Sequence, residues 1–339
     1  LKASLRSRLT VDQFAEGILR GDRVILGQAI TLIESTRPAD QNSGAQLLER
    51  ILSKTGHAIR IGITGVPGVG KSTFIEAFGK YIIDQHKKLA VLTIDPSSQV
   101  TKGSILGDKT RMEELSKNAN AFIRPTASGN TLGGVAHKTR EAMLLCEAAG
   151  YDVIIIETVG VGQSEVSVKN MVDFFLLLML AGAGDELQGI KKGIMEMADG
   201  MVITKADGNN IKHATEAQAE YKHAFHLFSL AESGWIPQVL TSSAHSGQGI
   251  DAVWNMISKY QEHTTASGYF EKNRSSQNIA WFQEYFEQLL KDDLQKNASL
   301  REINQRLAKA VADRELSSRQ AALQYLEAYH EAIRNSYEP

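Results

Sequence analysis

The stretch Gly65-Val66-Pro67-Gly68-Val69-Gly70-Lys71-Ser72 follows an apolar, β-branched run (Ile59, Ile61, Ile63) and precedes a helical pattern (Phe74, Ile75, Ala77, Phe78). A strand, a glycine-rich loop and a helix in that order form the setting of a phosphate-binding P-loop. Gly65, Gly68 and Gly70 let the backbone turn tightly and aim N–H groups at phosphates that a side chain would keep away. The helix starting near Lys71 adds its positive end. Lys71 neutralises the outer phosphates, and the Ser72 hydroxyl can complete the shell of a Mg²⁺ ion bridging them. Val69 and Thr73 complete the expected phosphate-binding set. The plain alternative, a glycine-rich turn without a ligand, fits the flanking strand and helix poorly, so a nucleoside triphosphate is the expected ligand.

Periodicity separates three regions. Residues 1–58 carry helical patterns (Phe14, Ile18, Leu19; Ile25, Ala29, Ile30, Ile33; Leu47, Leu48, Ile51, Leu52), with Thr10 and Gln13 spaced as a capping box. From 59 to 265, short apolar runs alternate with helical stretches. After the first run come 90–95, 121–125, 152–158, 173–180, 201–205 and 238–244. Runs apolar on both faces predict strands buried between helices, hence an α/β domain with a mostly parallel, doubly covered sheet. Residues 266–339 begin with a polar stretch, Glu271 to Gln277, and continue as three amphipathic helices: Ile279, Phe282, Phe286, Leu289, Leu290; Leu300, Ile303, Leu307; and Ala322, Leu326, Tyr329, Ile333. Ser299 with Glu302 and Ser317 with Gln320 are spaced as two more capping boxes. The first of these faces is more apolar than a solvated tail needs, which predicts a homodimer interface.

Composition narrows the function classes. With 37 Lys+Arg against 39 Asp+Glu in 339 residues, no general electrostatic case exists for nucleic acid or a membrane surface. Cys146 is the single cysteine, in a helical stretch that predicts burial, and no disulfide can form within the chain. The first twenty residues lack a signal-peptide core, and the longest apolar run, Phe174 to Gly184, is short for a bilayer span. The expected compartment is the cytoplasm. A mitochondrial matrix protein with its transit peptide removed would read the same way.

Two further signals accompany the P-loop. Glu157-Thr158-Val159-Gly160 ends an apolar strand, where an acidic residue can face Ser72 and hold Mg²⁺ directly or through water, while the Gly160 N–H senses the γ-phosphate. Asp is more usual there than Glu. Thr204-Lys205-Ala206-Asp207 ends one strand and Ser242-Ser243-Ala244 the next, in the order of a guanine pocket. Asp207 can accept from the guanine ring N–H and amine, the Lys205 stem can lie along the base, and the Ala244 N–H can donate to the guanine carbonyl, with Ser243 beside it. GTPases usually carry Asn at the Thr204 position, so part of a familiar tether is replaced. Between the P-loop and Glu157, a loop rich in glycine and serine carries Asp95 and Asp108, candidates for positioning metal or water, with a helix cap or loop ion pair as the alternative for each.

The phrases DPSS with GSILGDKTRM, FIRPTASGNTLGG, LLCEAAGYDVIIIETVGVGQSE and GDELQGIKKGIMEMAD resemble the methylmalonyl-CoA mutase-associated GTPases, the MeaB/ArgK group, allied to the nickel-chaperone GTPases of hydrogenase and urease. The resemblance spans roughly residues 40 to 265. It implies a P-loop NTPase of the SIMIBI type with N-terminal helices and a C-terminal helical dimerisation extension. It also implies a GTP-hydrolysing chaperone that gates adenosylcobalamin delivery to methylmalonyl-CoA mutase and protects or reactivates that enzyme, with the cobalamin adenosyltransferase a further candidate partner. By the same resemblance Asp95 and Asp108 match a first switch, Glu157 and Gly160 a second, and Asp185 to Lys192 a third mobile segment in which Lys191 is the expected electrostatic contact. Gln99 and Lys102 stand where relatives are expected to carry Pro and Gly. A nickel-type metallochaperone should show Cys or His clusters, and a P-loop kinase should lack the guanine signature; both remain alternatives from the residues alone.

Overall fold

The computed structural model describes residues 9–94, 112–126, 132–158, 164–182, 192–228 and 230–337. The chain divides into two compact units, Leu1–Arg274 and Ser275–Pro339. The first is built on one seven-stranded sheet: β1 (Ile59–Gly65), β2 (Leu89–Ile94), β3 (Ala121–Thr126), β4 (Val153–Thr158), β5 (Phe174–Leu180), β6 (Gly200–Thr204) and β7 (Gln238–Thr241). Their order is β3-β2-β4-β1-β5-β6-β7 and every pairing is parallel. All seven apolar runs are strands, and β1, β2 and β4 are buried along their whole length. That two-sided burial is why their apolar residues run on without alternating.

Ile59, Ile61 and Ile63 on one face of β1 join a core with Phe74, Ile75 and Phe78 of α4 (Lys71–Asp84). On the opposite pleat Ala90, Leu92, Ile154 and Ile156 are also fully buried. α6 (Leu132–Ala148) packs on β2, β3 and β4, and the N-terminal helices α1 (Val11–Leu19), α2 (Arg23–Glu34) and α3 (Pro38–Ile51) pack on α6. The capping box at Thr10 and Gln13 has both of its bonds. Cys146, on α6, is fully buried, and burial pushes its thiol pKa up. Among the described residues, the remaining helices of this unit are α5 (Glu113–Lys117), α7 (Ser164–Lys169), α8 (Lys192–Met197), α9 (Ile211–Phe225) and α10 (Ile250–Ala266).

β1 lies between β4 and β5, with β2, β3 and β4 on one side and β5, β6 and β7 on the other, making its carboxyl end a topological switch point. Ile63 pairs with Glu157, Gly65 with Leu178, and Leu180 with Thr204, so the P-loop, the Glu157 strand end and the Thr204 strand end share one edge of the sheet.

α11 (Tyr269–Lys296) starts in the first unit and continues into the second, which holds α12 (Ala298–Ala312) and α13 (Ser318–Tyr337) packed together. Two expectations change here. The polar stretch Glu271 to Gln277 is helical, because after Gly268 it contains no breaker and is rich in residues with good helix propensity. The cap of α12 is Asn297, which accepts from Leu300 N at 3.3 Å, while Ser299 Oγ donates to Asn297 Oδ1 at 2.7 Å. A helix starting two residues earlier leaves Ser299 inside its first turn, so no capping box forms with Glu302. Ser317 does accept from Gln320 N, at 3.2 Å. Among the described residues, no helix is long and apolar enough to cross a membrane.

The amino end of the sheet is fastened by buried charge. Arg274 donates to Asp173 Oδ1 at 2.8 Å and Oδ2 at 2.6 Å, and to the carbonyls of Gly56 and Ala58, both at 2.5 Å. Asp173 Oδ2 also accepts from Arg60 N at 2.8 Å, and Arg60 Nε donates to Glu147 at 2.9 Å. Arg274 and Asp173 are 7% and 2% exposed. A buried carboxylate stripped of its partner is costly, so Arg274→Ala is expected to lower unfolding free energy by about 3–5 kcal/mol. Arg274→Lys should recover only part of it, since an ammonium lacks the planar fork. Urea titration of the two variants measures both.

Candidate nucleotide site

Gly65 ends β1 against β5, where a Cβ would sit 2.5 Å from the Leu178 carbonyl oxygen, so no larger residue fits without moving the strand. Val66 to Gly70 then form the loop, with Val69 buried and its N–H donating to Val66 O at 3.2 Å. Gly70 caps α4 in the left-handed region (φ 89°), which turns the chain into a helix without a side-chain cap. Lys71, Ser72 and Thr73 form the first turn of α4, whose N–H groups have no partner within the helix. An anion placed there meets those donors and the helix dipole together.

Lys71 Nζ donates back to the carbonyls of Gly65 (2.8 Å) and Val66 (3.5 Å), which lays the side chain along the loop. Burial pulls its ammonium below the ordinary lysine pKa, and the charges of Glu157 and Glu165 partly restore it. Such a group gains from a nearby phosphate. Ser72 Oγ donates to Glu157 Oε1 at 3.3 Å, as the strand-end reading expects, and Glu157 is 4% exposed. Next to it, Thr158 donates to Thr64 across β4 and β1 at 2.8 Å. This buried hydroxyl pair carries no signal in a single sequence.

The Thr204 strand end is tied to the same loop. Thr204, 4% exposed, donates its hydroxyl to Val69 O at 2.8 Å, with Met179 O at 3.2 Å beside it. One hydroxyl proton cannot serve both carbonyls fully, whereas an Asn amide has two N–H groups, and this is the physical content of the Thr for Asn replacement. Lys205 Nζ donates to Gly68 O at 2.9 Å. The Lys205 backbone is left-handed (φ 55°), and Asn210 Nδ2 fastens it by donating to Lys205 O at 2.7 Å. Asn210 is a contributor that sequence reasoning missed, since nothing marks one Asn in a Gly-Asn-Asn turn. Asp207 follows, its carboxylate accepting a short hydrogen bond from Ser243 Oγ, which itself accepts from Ser246 N at 3.1 Å. Ala206 N donates to Ser242 O at 3.1 Å, holding the two strand-end loops together, and Ala244 sits in the turn after Ser243. The structure therefore gathers the P-loop, Glu157, Thr204, Lys205, Asp207, Ser243 and Ala244 at one sheet edge. Asp95, Asp108, Gly160, Asp185 and Lys191 lie outside the described residues.

This geometry defines the class: an α/β P-loop NTPase, with a phosphate cradle hydrogen-bonded to a second strand-end loop that carries Asp207. The comparisons narrow the class to a family. The family model described as "Methylmalonyl Co-A mutase-associated GTPase MeaB" matches residues 26–299. The chain is 47% identical to the GTPase ArgK of Escherichia coli K12, over 90% of this chain and 93% of that protein. It is 44% identical to the mitochondrial "Methylmalonic aciduria type A homolog" of Mus musculus, over 94% of this chain and 79% of the relative. The crystal structure of a "LAO/AO transport system kinase" aligns with a TM-score of 0.77 at 39% identity, covering 96% of this chain and 100% of the other. The chain belongs to the MeaB family of GTPases, and it binds and hydrolyses GTP.

Removing the Thr204 hydroxyl leaves the buried Val69 carbonyl without its donor. Thr204→Val is expected to weaken GDP binding by about 1–3 kcal/mol, roughly five- to 150-fold, with Thr204→Ser close to wild type. Isothermal calorimetry with GDP compares the three.

Proposed function

We propose that this GTPase is associated with methylmalonyl-CoA mutase and acts as its chaperone, gating adenosylcobalamin delivery and protecting or reactivating the enzyme. Family membership supports this, and the observation that carries the nucleotide half is the bond from Thr204 to the Val69 carbonyl, which sets the base reader against the phosphate loop. In this reading Gly65, Gly68, Val69, Gly70, Lys71, Ser72 and Thr73 hold the phosphates, while Lys205, Asp207, Ser243 and Ala244 hold the guanine.

Ser72 and Glu157 offer hard oxygen donors 3.3 Å apart, a donor set that suits Mg²⁺. When bound, Mg²⁺ would supply charge neutralisation at the phosphates. Ser72 and Glu157 would hold it, with Asp95 and Asp108 proposed for the same environment. Glu157 also has the reach to orient the attacking water, and buried beside Lys71 it keeps the site's charges balanced before nucleotide arrives. Gly160, Asp185 and Lys191 are assigned to the switches, Lys191 as the contact that relays the partner's presence. A metallochaperone reading has less support, because the sequence carries a single cysteine, Cys146, and that thiol is buried. The cytoplasm or a mitochondrial matrix is the compartment we propose.

The second unit supports a homodimer. Ile279, Phe282, Phe286 and Leu289 of α11 are 58–70% exposed, at the 3-4-3 spacing of a single helical stripe. Two copies burying such stripes would remove an apolar surface that a monomer leaves in water.

Glu157→Ala should retain much of the GDP affinity while slowing phosphate release by about tenfold or more. The purified mutase of the same organism should accelerate wild-type phosphate release, and Lys191→Ala should blunt that acceleration more than the basal rate. Absence of both a complex and an acceleration would leave a GTPase with another client. For the dimer, light scattering of the Phe282→Glu, Phe286→Glu double variant should report a monomer where the wild type is a dimer.

A further inference from the structure

Away from the nucleotide edge, at the amino end of β6, the first unit contains a cavity of about 400 Å³. Small-molecule sites occupy about 300–1,000 Å³ and combine apolar walls with a few placed polar groups. Here the walls are Met195, Phe225, Phe228, Trp235, Ile236 and Pro237, and the polar groups include Lys169 and Asp199. Trp235 is fixed by its indole N–H, which donates to Asp199 O at 2.8 Å.

Asp199 is 7% exposed, and its two carboxylate oxygens are treated unequally. Oδ2 accepts from Lys169 Nζ at 2.6 Å and from Phe175 N at 2.8 Å. Oδ1 accepts no hydrogen bond among the described residues. Burial pushes the Asp199 carboxyl pKa up while Lys169 holds it down, and Oδ1, which is not sealed in the core and has no protein donor among the described residues, keeps acceptor capacity for a ligand. Glu196 adds a second carboxylate to the lining and His226 an imidazole, beside Lys169. Aromatic rings beside such a position favour a cation over an anion.

We propose that this cavity binds a small organic cation: a primary ammonium on an aromatic or branched aliphatic body, its N–H donating to Asp199 Oδ1 and its body lying against Trp235 and the phenylalanines. The negative potential of the site is felt by Tyr269, another lining residue, whose hydroxyl pKa is raised by burial first and then by Asp199 and Glu232. Asp199 immediately precedes Gly200, the first residue of β6, and the strand ends at Thr204, the residue bonded to Val69. An occupant would therefore rest on the strand that carries the base reader.

The test uses the full-length protein with GDP bound, at pH 8, with 2-phenylethylamine as probe and 2-phenylethanol and phenylacetate as matched controls. Saturation-transfer NMR and calorimetry should show the amine binding about tenfold tighter than either control, the margin expected of a charge-assisted hydrogen bond. Ala231→Trp, at an exposed lining position, should block the amine without disturbing the core. Asp199→Asn should weaken it about tenfold, and Lys169→Met should tighten it by removing the competing internal cation. Should Asp199→Asn fail to fold, the other two variants still decide. Equal binding of the three probes, no binding of the amine, weaker binding to Lys169→Met, or amine binding indifferent to Ala231→Trp would each overturn the proposal.

Discussion

The hydrogen bond from the Thr204 hydroxyl to the Val69 carbonyl joins two parts of the molecule that must act together. One is the phosphate cradle, built by β1, its glycine loop and the first turn of α4. The other is the pair of loops after β6 and β7, where Asp207 and Ser243 meet. Each part could form in a parallel sheet without the other. Reading a base and holding its phosphates at a fixed separation needs them braced, and Lys205 adds a second brace by donating to Gly68 O. Both braces end on loop carbonyls, so the loop N–H groups stay available for phosphate.

The sheet makes that bracing feasible. β1, β5 and β6 run side by side in parallel, and close packing at Gly65 against Leu178 sets how far the loop stands from the strand that feeds β6. At the other end of the same strands, Arg274 and Asp173 fasten the entries of β1 and β5. Buried ion pairs are a weak source of net stability but a strong penalty on misregister, because a shifted strand would strand a charge. The register that aligns Gly65, Glu157 and Thr204 thus has a restraint at the amino end of the sheet as well as hydrogen bonds at the carboxyl end.

Much of this was legible in the sequence for definite physical reasons. Strands buried on both faces, as β1, β2 and β4 are, show up as unbroken apolar runs, and each of the seven runs contains a strand. The P-loop is legible because few residue types permit its backbone. Less visible were features that depend on contacts between distant residues: the Thr158 to Thr64 hydroxyl pair, the Asn210 clasp on Lys205 and the Arg274 network. The cap of α12 was misplaced by two residues, since Asn297 and Ser299 are both competent caps and only tertiary packing chooses between them. Residues 271–277 read only as a polar stretch, because the apolar stripe that marks the helix does not begin until Ile279. At the candidate site, Lys71, Ser72, Glu157, Thr204, Lys205, Asp207 and Ser243 fall together as the motifs foretold, because each motif sits at a strand end and the topology places those ends on one edge.

The central claim is that Asp207, oriented by Ser243 and braced through Thr204, reads guanine for this GTPase. Exchanging the carboxylate for an amide inverts the hydrogen-bonding pattern presented to the base, which makes nucleotide preference the most direct measurement. Calorimetry of the wild type and Asp207→Asn with GDP, ADP and xanthosine diphosphate should show wild-type preference for GDP and a shift toward the xanthine nucleotide in the variant. Equal wild-type affinity for ADP and GDP, or a variant whose preference is unchanged, would contradict it.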